Sequence, residues 1–83
     1  MKINVKYFAS IREALGTGGE LVDTASTDAA GLRDELIARG GVYAESLARG
    51  KAVRVAINQT LAAETAPLVE GAEVAFFPPV TGG

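Results

Sequence analysis

Four segments of the chain have the residue types or the two-residue alternation of β-strands, and they leave room for one long helix. The predicted strands are residues 2–8, 20–25, 52–58 and 73–77, and a short segment beginning at Leu61 follows the third. Between the second and third strands, the stretch STDAAGLRDELIARGG has apolar residues at helical spacing and ends in a Gly pair, which predicts the main helix. Since 83 residues form one domain, these elements must share one core.

The helical stretch carries its own start and stop signals. Thr27 is the predicted N-cap, while Asp28 and Arg39 suit the positive and negative ends of the helix dipole. Gly31 lacks a side chain inside the helix, and we expect it to let the helix lie close to the sheet. The predicted apolar stripe comprises Ala29, Leu32, Leu36 and either Ile37 or Arg39.

The order of the elements predicts an α+β fold. Strand, strand, helix, strand, short strand, strand is the order of the β-grasp, a mixed sheet packed on one main helix. We expect the first two strands to form a hairpin and the last strand to run beside the first in the middle of the sheet. Residues 10–16 predict one or two helical turns, and residues 42–51 a helical turn or a loop. The predicted domain spans residues 1–77, and residues 78–83 form an extended tail.

The composition argues against catalysis by the chain alone. It contains neither Cys nor His, the side chains that most often act as nucleophile, general base or metal ligand. The ten acidic residues stand singly or beside basic ones, as surface charges do. A carrier, a modifier or a subunit is the expected class.

Charge and hydropathy also limit the partners and the compartment. The net charge is −2 and the eight basic residues are scattered, so we expect no nucleic-acid partner. The apolar runs are far shorter than the roughly 20 residues of a membrane span, and the alternating N-terminus differs from a secretion signal. We expect a cytoplasmic protein without a membrane partner.

Alternation places two aromatic residues on the face of the sheet that should be open to solvent. If Tyr7 and Phe76 face the helix, then Phe8 and Phe77 face away from it, together with Ala56 and Leu61. A contiguous exposed aromatic patch usually marks a binding site. Two alternatives stay open, because the two rings could fold over a sheet end or a bulge could reverse the pattern.

The last eight residues, FFPPVTGG, suit a segment that carries its chemistry at its tip. Pro78 and Pro79 lack backbone N–H groups, so the sheet must end there. The six residues after Phe77 reach about 20 Å when extended. Gly82 and Gly83 fit a channel too narrow for a side chain. The carboxylate of Gly83 can then be activated, typically as an acyl-adenylate, and accept either an amine or sulfide.

Three segments resemble the MoaD-type sulfur carriers, the small subunits of molybdopterin synthase within the ubiquitin-like β-grasp group. They are YFASIREALG, INQTLA and, most specifically, GAEVAFFPPVTGG. The resemblance implies that a ubiquitin-activating-type adenylyltransferase uses ATP to adenylate Gly83. A sulfurtransferase then delivers the sulfur that makes the thiocarboxylate. It also implies no stably bound cofactor and no metal site in this chain.

The same resemblance implies how the chain meets its partner. The tail would enter the active site of the large catalytic subunit and donate sulfur to the molybdopterin dithiolene, two copies of each subunit forming a heterotetramer. The implied tail-insertion residues are Pro79, Val80, Thr81, Gly82 and Gly83. The implied partner interface comprises Phe8, Arg12, Leu61 and Phe77. For Arg12 a plain surface role stays open, paired with Glu13 or Glu20.

Three other functions stay open at this stage. A ubiquitin-like modifier, joined through Gly83 to lysines, needs the same tail. A sulfur carrier of thiazole or cysteine synthesis is the second alternative. The third is an interaction domain whose last residues are idle.

Overall fold

A computed structural model describes residues 1–79, which contain five strands and three helices. In chain order these are β1 (Lys2–Tyr7), α1 (Ala9–Leu15), β2 (Gly19–Asp23), α2 (Ala29–Ile37), α3 (Gly41–Ser46), β3 (Arg54–Ile57), β4 (Thr60–Ala62) and β5 (Glu73–Phe77). Every predicted element is present, with ends shifted by a few residues. None of the helices in residues 1–79 has the length and apolar content that crossing a membrane requires.

The five strands form one mixed sheet in the order β2-β1-β5-β3-β4. β1 pairs antiparallel with β2 and parallel with β5, and β3 pairs antiparallel with both β5 and β4. The first and last strands therefore lie side by side in the middle of the sheet, as predicted. The architecture is the β-grasp, which confirms the predicted fold class.

The core lies between one face of this sheet and the helices. Its strand residues come from alternate positions of β1 and β5, where Tyr7 lies opposite Phe76 and Val5 opposite Val74. The predicted helix stripe is buried at Ala29, Leu32 and Leu36, while Ile37 packs at the edge of the core.

The main helix starts one residue later than predicted, because the chain before it is held in an extended pairing. Thr27 accepts a hydrogen bond from the backbone of Leu68 through its carbonyl, and Asp28 forms a β-bridge with Pro67. Asp28 is therefore the N-cap, and its Oδ1 accepts from the backbone N–H of Gly31 at 2.8 Å. The prediction of Thr27 as N-cap was wrong.

Two further details of the helix differ from the prediction. A Cβ at Gly31 would come within 3.0 Å of the Ser26 side chain and 3.3 Å of the Asp28 carboxylate. The absent side chain therefore makes room for the capping turn and not for the sheet. The helix ends at Ile37, so Arg39 lies beyond it, where it pairs with Glu20 at 2.8 Å.

Candidate functional site

The open face of the sheet, opposite the helices, carries an apolar groove where the described part of the chain ends. This open-face groove has a volume of about 410 Å³ and is lined chiefly by Phe8, Ala56, Ala75, Phe77 and Pro78. The strand register brings its members together, because Ala56 lies opposite Ala75 on β5 and opposite Leu61 on β4.

Phe8 faces the groove because the β1 alternation runs on without a bulge. Tyr7 is fully buried, and Phe8 follows it in extended conformation with its side chain 47% exposed. The Phe8 N–H donates to the carbonyl of Phe76, and its own carbonyl accepts from Arg12 in the first turn of α1. Ala9, between them, has a left-handed φ of 51°, which turns the chain sharply from strand to helix.

Phe77 and Leu61 complete the apolar surface. Phe77 lies opposite Arg54 and is half-buried, which corresponds to the partial covering that sequence reasoning left open. Leu61 is 63% exposed on the edge strand β4. The structure thus puts Phe8, Leu61 and Phe77 on one face, and their role at a partner interface remains a prediction.

Arg12 stands beside this surface on α1, in none of the ion pairs that the structure shows within residues 1–79. Its guanidinium lies against Gly18, where a Cβ would come within 3.3 Å of the guanidinium carbon. The structure shows no ion pair of Arg12 with Glu13 or Glu20 within residues 1–79. The carboxylate of Glu20 accepts hydrogen bonds from Tyr7, Arg39 and Tyr43.

Glu20, on the edge strand β2, organises a polar cluster on the helix side of the sheet that the sequence did not reveal. Its carboxylate accepts hydrogen bonds from the hydroxyls of Tyr7 at 3.0 Å and Tyr43 at 2.8 Å, and from Arg39 at 2.8 Å. Partial burial acts to raise the pKa of Glu20, but the hydrogen bonds from Arg39, Tyr43 and Tyr7 outweigh it and hold the pKa below its ordinary value. The Tyr7 ring stacks on the Phe76 ring with their centroids 6.5 Å apart, which joins the polar cluster to the buried core.

A second cavity, of about 320 Å³, lies on the other side of Pro78. Ile11 and Ala14 of α1 line it, together with Lys51 and Val53 of the segment before β3. Pro78 therefore stands between two depressions at the end of β5.

The predicted modification and insertion residues lie almost wholly outside the described part of the chain. Pro79 is half-buried just after Pro78. Val80, Thr81, Gly82 and Gly83 fall outside residues 1–79. Within those 79 residues, no group of three acidic side chains is placed to hold a metal ion, and every buried polar side-chain atom has a hydrogen-bond partner.

Comparison with known proteins gives a consistent result over the whole chain. Residues 5–83 match the ThiS family. The molybdopterin synthase sulfur carrier subunit of Escherichia coli is 43% identical over 81 residues, covering 98% of this chain and 99% of that protein. The protein of the same name from Haemophilus influenzae is 41% identical with the same coverage.

Two solved structures share the fold. Subunits 1 and 2 of the molybdopterin-converting factor of Helicobacter pylori were solved as a complex, and the matching chain is 25% identical with a TM-score of 0.69 over all of both chains. The small archaeal modifier protein 1 of Haloferax volcanii is 28% identical with a TM-score of 0.68, covering 95% of this chain and 98% of that one.

Proposed function

The chain belongs to the ThiS family, and on this premise we propose that it is the sulfur carrier subunit of a molybdopterin synthase, with Gly83 as the residue that carries the sulfur. Two relatives of that name are more than 40% identical over nearly their full length. The proposed sulfur-carrying group is a thiocarboxylate at the Gly83 carbonyl carbon.

The observation that carries the proposal is the position of the open-face groove at the base of the tail. Phe8 and Phe77 present an apolar surface next to Pro78, the first residue of the tail. A partner that covers this surface also receives the segment that follows Pro79. Apolar docking on one side then guides the chain's tip into an active site within about 20 Å of Phe77.

The proposed chemistry proceeds in three balanced steps. A carboxylate oxygen of Gly83 attacks the α-phosphate of ATP, pyrophosphate leaves, and an acyl-adenylate forms. A thiol reductant supplies the two electrons that release the persulfide sulfur of a sulfurtransferase as sulfide, which then attacks the acyl carbon, and AMP leaves with the oxygen that bonded to phosphorus. The thiocarboxylate sulfur then attacks a carbon of the large subunit's substrate and displaces a leaving group from it, which gives a thioester, and water cleaves the acyl carbon–sulfur bond, so that the sulfur stays on the substrate and the carboxylate of Gly83 is restored.

The chain contributes positioning to these steps, and its partners contribute the reactive groups. With neither Cys nor His, it has no thiolate and no imidazole to act as nucleophile or base. The adenylyltransferase supplies the ATP site, and the large subunit supplies the substrate site. The chain acts as a non-catalytic subunit, with no stably bound cofactor.

Intact-mass spectrometry tests the proposal directly. The purified chain is incubated with an adenylyltransferase of a molybdopterin pathway, ATP, and a sulfurtransferase with its sulfur donor. We expect the mass to rise by the exchange of one oxygen for sulfur, with the change confined to the C-terminal peptide. An unchanged mass, while the Escherichia coli carrier is converted in parallel, contradicts the proposal.

A variant with one alanine appended after Gly83 is the matched control. It leaves the docking surface intact while moving the carboxylate to a residue with a side chain. We expect unchanged thermal unfolding and binding to the large subunit, and no thiocarboxylate. Full conversion of this variant would show that the tip is not read as a diglycine.

A second candidate function is protein modification through Gly83, which the likeness to the Haloferax volcanii modifier protein favours. The chain has no Lys or Arg after Arg54, so trypsin leaves a remnant of 29 residues, 55–83, on a modified lysine. A Thr81→Arg variant shortens this remnant to diglycine. Diglycine-modified lysines that require the variant in its native host would establish conjugation.

Complementation separates the sulfur pathways. We expect the chain to restore molybdenum-enzyme activity to a strain that lacks its molybdopterin synthase small subunit. Rescue of a thiazole- or cysteine-requiring strain in its place would assign the chain to another pathway.

A further inference from the structure

The basic side chains of this acidic protein are divided between two kinds of environment. Three arginines, Arg33, Arg39 and Arg49, form ion pairs with carboxylates on the helix side of the sheet. The five other cations belong to no ion pair that the structure shows within residues 1–79: Lys2, Lys6, Arg12, Lys51 and Arg54. All five are exposed.

Four of these cations, Lys6, Arg12, Lys51 and Arg54, lie on segments that meet near the end of β5. Arg54 lies opposite Phe77 on the open face, and Lys6 lies opposite Ala75. Lys51 lines the second cavity together with Pro78. Arg12 follows Phe8 in the first turns of α1. Positive charge therefore borders Pro78 on both sides, from Arg54 next to Phe77 on the open face and from Lys51 at the second cavity.

Acidic groups lie nearby but do not neutralise this border. Glu73 lines the far end of the open-face groove, where it is opposite Asn4, and its backbone N–H donates to Asn58. Glu13 is exposed on α1 near Arg12 and is in no ion pair that the structure shows within residues 1–79. The carboxylates of Asp34 and Glu64 are paired with arginines on the other side of the sheet.

We propose that Lys6, Lys51 and Arg54 form a cationic rim together with Arg12. This rim docks on acidic side chains around the channel of the large synthase subunit that receives the tail. The inference rests on the proposed function. Cations left without partners in a chain of net charge −2 are free to pair with a partner's carboxylates. Because rim charges stay partly solvated, their main effect is on the rate of association and on which protein is accepted.

A protein fits this surface better than a nucleic acid does. The centre of the surface is apolar and bears no charge, whereas a polyanion groove places its cations in the middle. Lys51 and Arg54 lie on the two sides of Pro78, so a partner that pairs with them is aligned on the start of the tail.

Association kinetics with the large subunit of the same organism test the rim. We expect the double variant Lys51→Gln with Arg54→Gln to associate about threefold to tenfold more slowly than the wild type at low salt. The difference should vanish at about 1 M salt, where the Debye length is about 3 Å. The charge-retaining variant Lys51→Arg with Arg54→Lys should associate at the wild-type rate.

Lys2→Gln is the matched control, because Lys2 is an exposed cation on the same face at the other end of β1. We expect it to associate like the wild type. The rim is contradicted if Lys2→Gln slows association as much as the double variant, since net charge alone would then explain both. It is equally contradicted if the double variant binds the large subunit normally but loses binding to a short duplex DNA.

Failure of the rim and failure of the proposed function give different results. If the double variant associates normally while wild type and variant both gain sulfur at Gly83, the rim is wrong and the carrier function stands. If the wild type neither binds the large subunit nor gains sulfur, both are wrong.

Discussion

Both faces of the sheet carry apolar residues and cations, but these are enclosed or paired on the helix side and exposed on the open face. On the helix side, apolar residues are closed into a core, and the arginines are paired with carboxylates and carbonyls. On the open face, Phe8 and Leu61 remain exposed, and the neighbouring cations are unpaired within the described part of the chain. One face is complete by itself, and the other is suited to being completed by a partner.

The comparison separates residues that hold the fold from residues that present the tail. A change on the helix side should lower the free energy of unfolding. A change on the open face should leave folding nearly unaffected and weaken association. Pairs of matched variants test this division.

The largest effect is expected from Arg33→Met. Arg33 is 3% exposed and donates to the carbonyls of Leu47, Ala48 and Lys51 at 2.7–3.2 Å and to Glu64 at 2.9 Å. Methionine keeps the apolar stem but removes all four hydrogen bonds, and only the Ala48 carbonyl, through the Lys51 N–H, and Glu64, through Arg49, keep another donor that the structure shows within residues 1–79. We expect a loss of about 3–5 kcal/mol in the free energy of unfolding, measured by urea denaturation.

Arg49→Met is the control for that variant. Arg49 bonds to Glu64 and Asp34 from an exposed position, with its side chain 45% accessible. We expect a loss of about 1 kcal/mol or less. Equal losses for both arginines would mean that burial does not determine how much each arginine contributes to the free energy of unfolding.

The next effect is on binding and comes from Phe8→Ser. Because its ring is about half exposed, we expect the free energy of unfolding to change by about 0.5 kcal/mol or less. If the ring is an anchor of the interface, affinity for the large subunit should fall by about 2 kcal/mol, roughly 30-fold. Calorimetric titration measures this. The control, Leu21→Ser, alters an equally apolar exposed residue of β2 and should bind normally.

The face on which a side chain lies could be predicted from the sequence, because it follows from the two-residue period of a strand or the 3.6-residue period of a helix. The contacts that side chains make with residues far away in the chain could not be predicted. Strand alternation is local, so Phe8 and Phe77 could be placed on the open face. Arg33 lies four residues after the buried Ala29, a place in the apolar stripe that could have marked it as buried. Its acceptors, however, are backbone carbonyls 14 to 18 residues further on, and a carbonyl has no sequence signature.

Capping shows the same limit. Thr27 and Asp28 are both good N-cap residues, and local preference cannot choose between them. The choice is made by pairing with Pro67 and Leu68, some 40 residues away in the chain. Glu20 likewise received its tyrosine and arginine partners through the fold.

A smaller effect, with a definite pH dependence, is expected from Glu20→Gln. The pKa of Glu20 is lowered in the folded protein, so the unfolded chain takes up the proton first as the pH falls. Its contribution is therefore present above the ordinary pKa of about 4.3 and is lost as the pH drops through the folded-state pKa. We expect a loss of about 1–2 kcal/mol at neutral pH, shrinking in acid.

Thermal unfolding between neutral pH and strong acid measures that difference. Glu45→Gln, which removes one exposed carboxylate from α3, is the control for the loss of a negative charge. A constant difference between Glu20→Gln and wild type at every pH would show that the charge of Glu20 is not what holds the cluster.

The smallest effect tests whether backbone strain belongs to the open face. The three non-glycine residues with left-handed φ are Ala9, Asn58 and Gln59, in the described part of the chain, and two of them, Ala9 and Gln59, line the groove. Gln59 has φ 67° in the tight turn between β3 and β4, where glycine is favoured. We expect Gln59→Gly to raise the free energy of unfolding by about 0.5–1 kcal/mol. Thr60→Gly, one residue into β4, should lower it by a similar amount.

If Gln59→Gly also leaves binding to the large subunit unchanged, the strain is a property of the turn alone. If binding weakens while stability rises, the strained turn holds the open face in the shape that its partner requires.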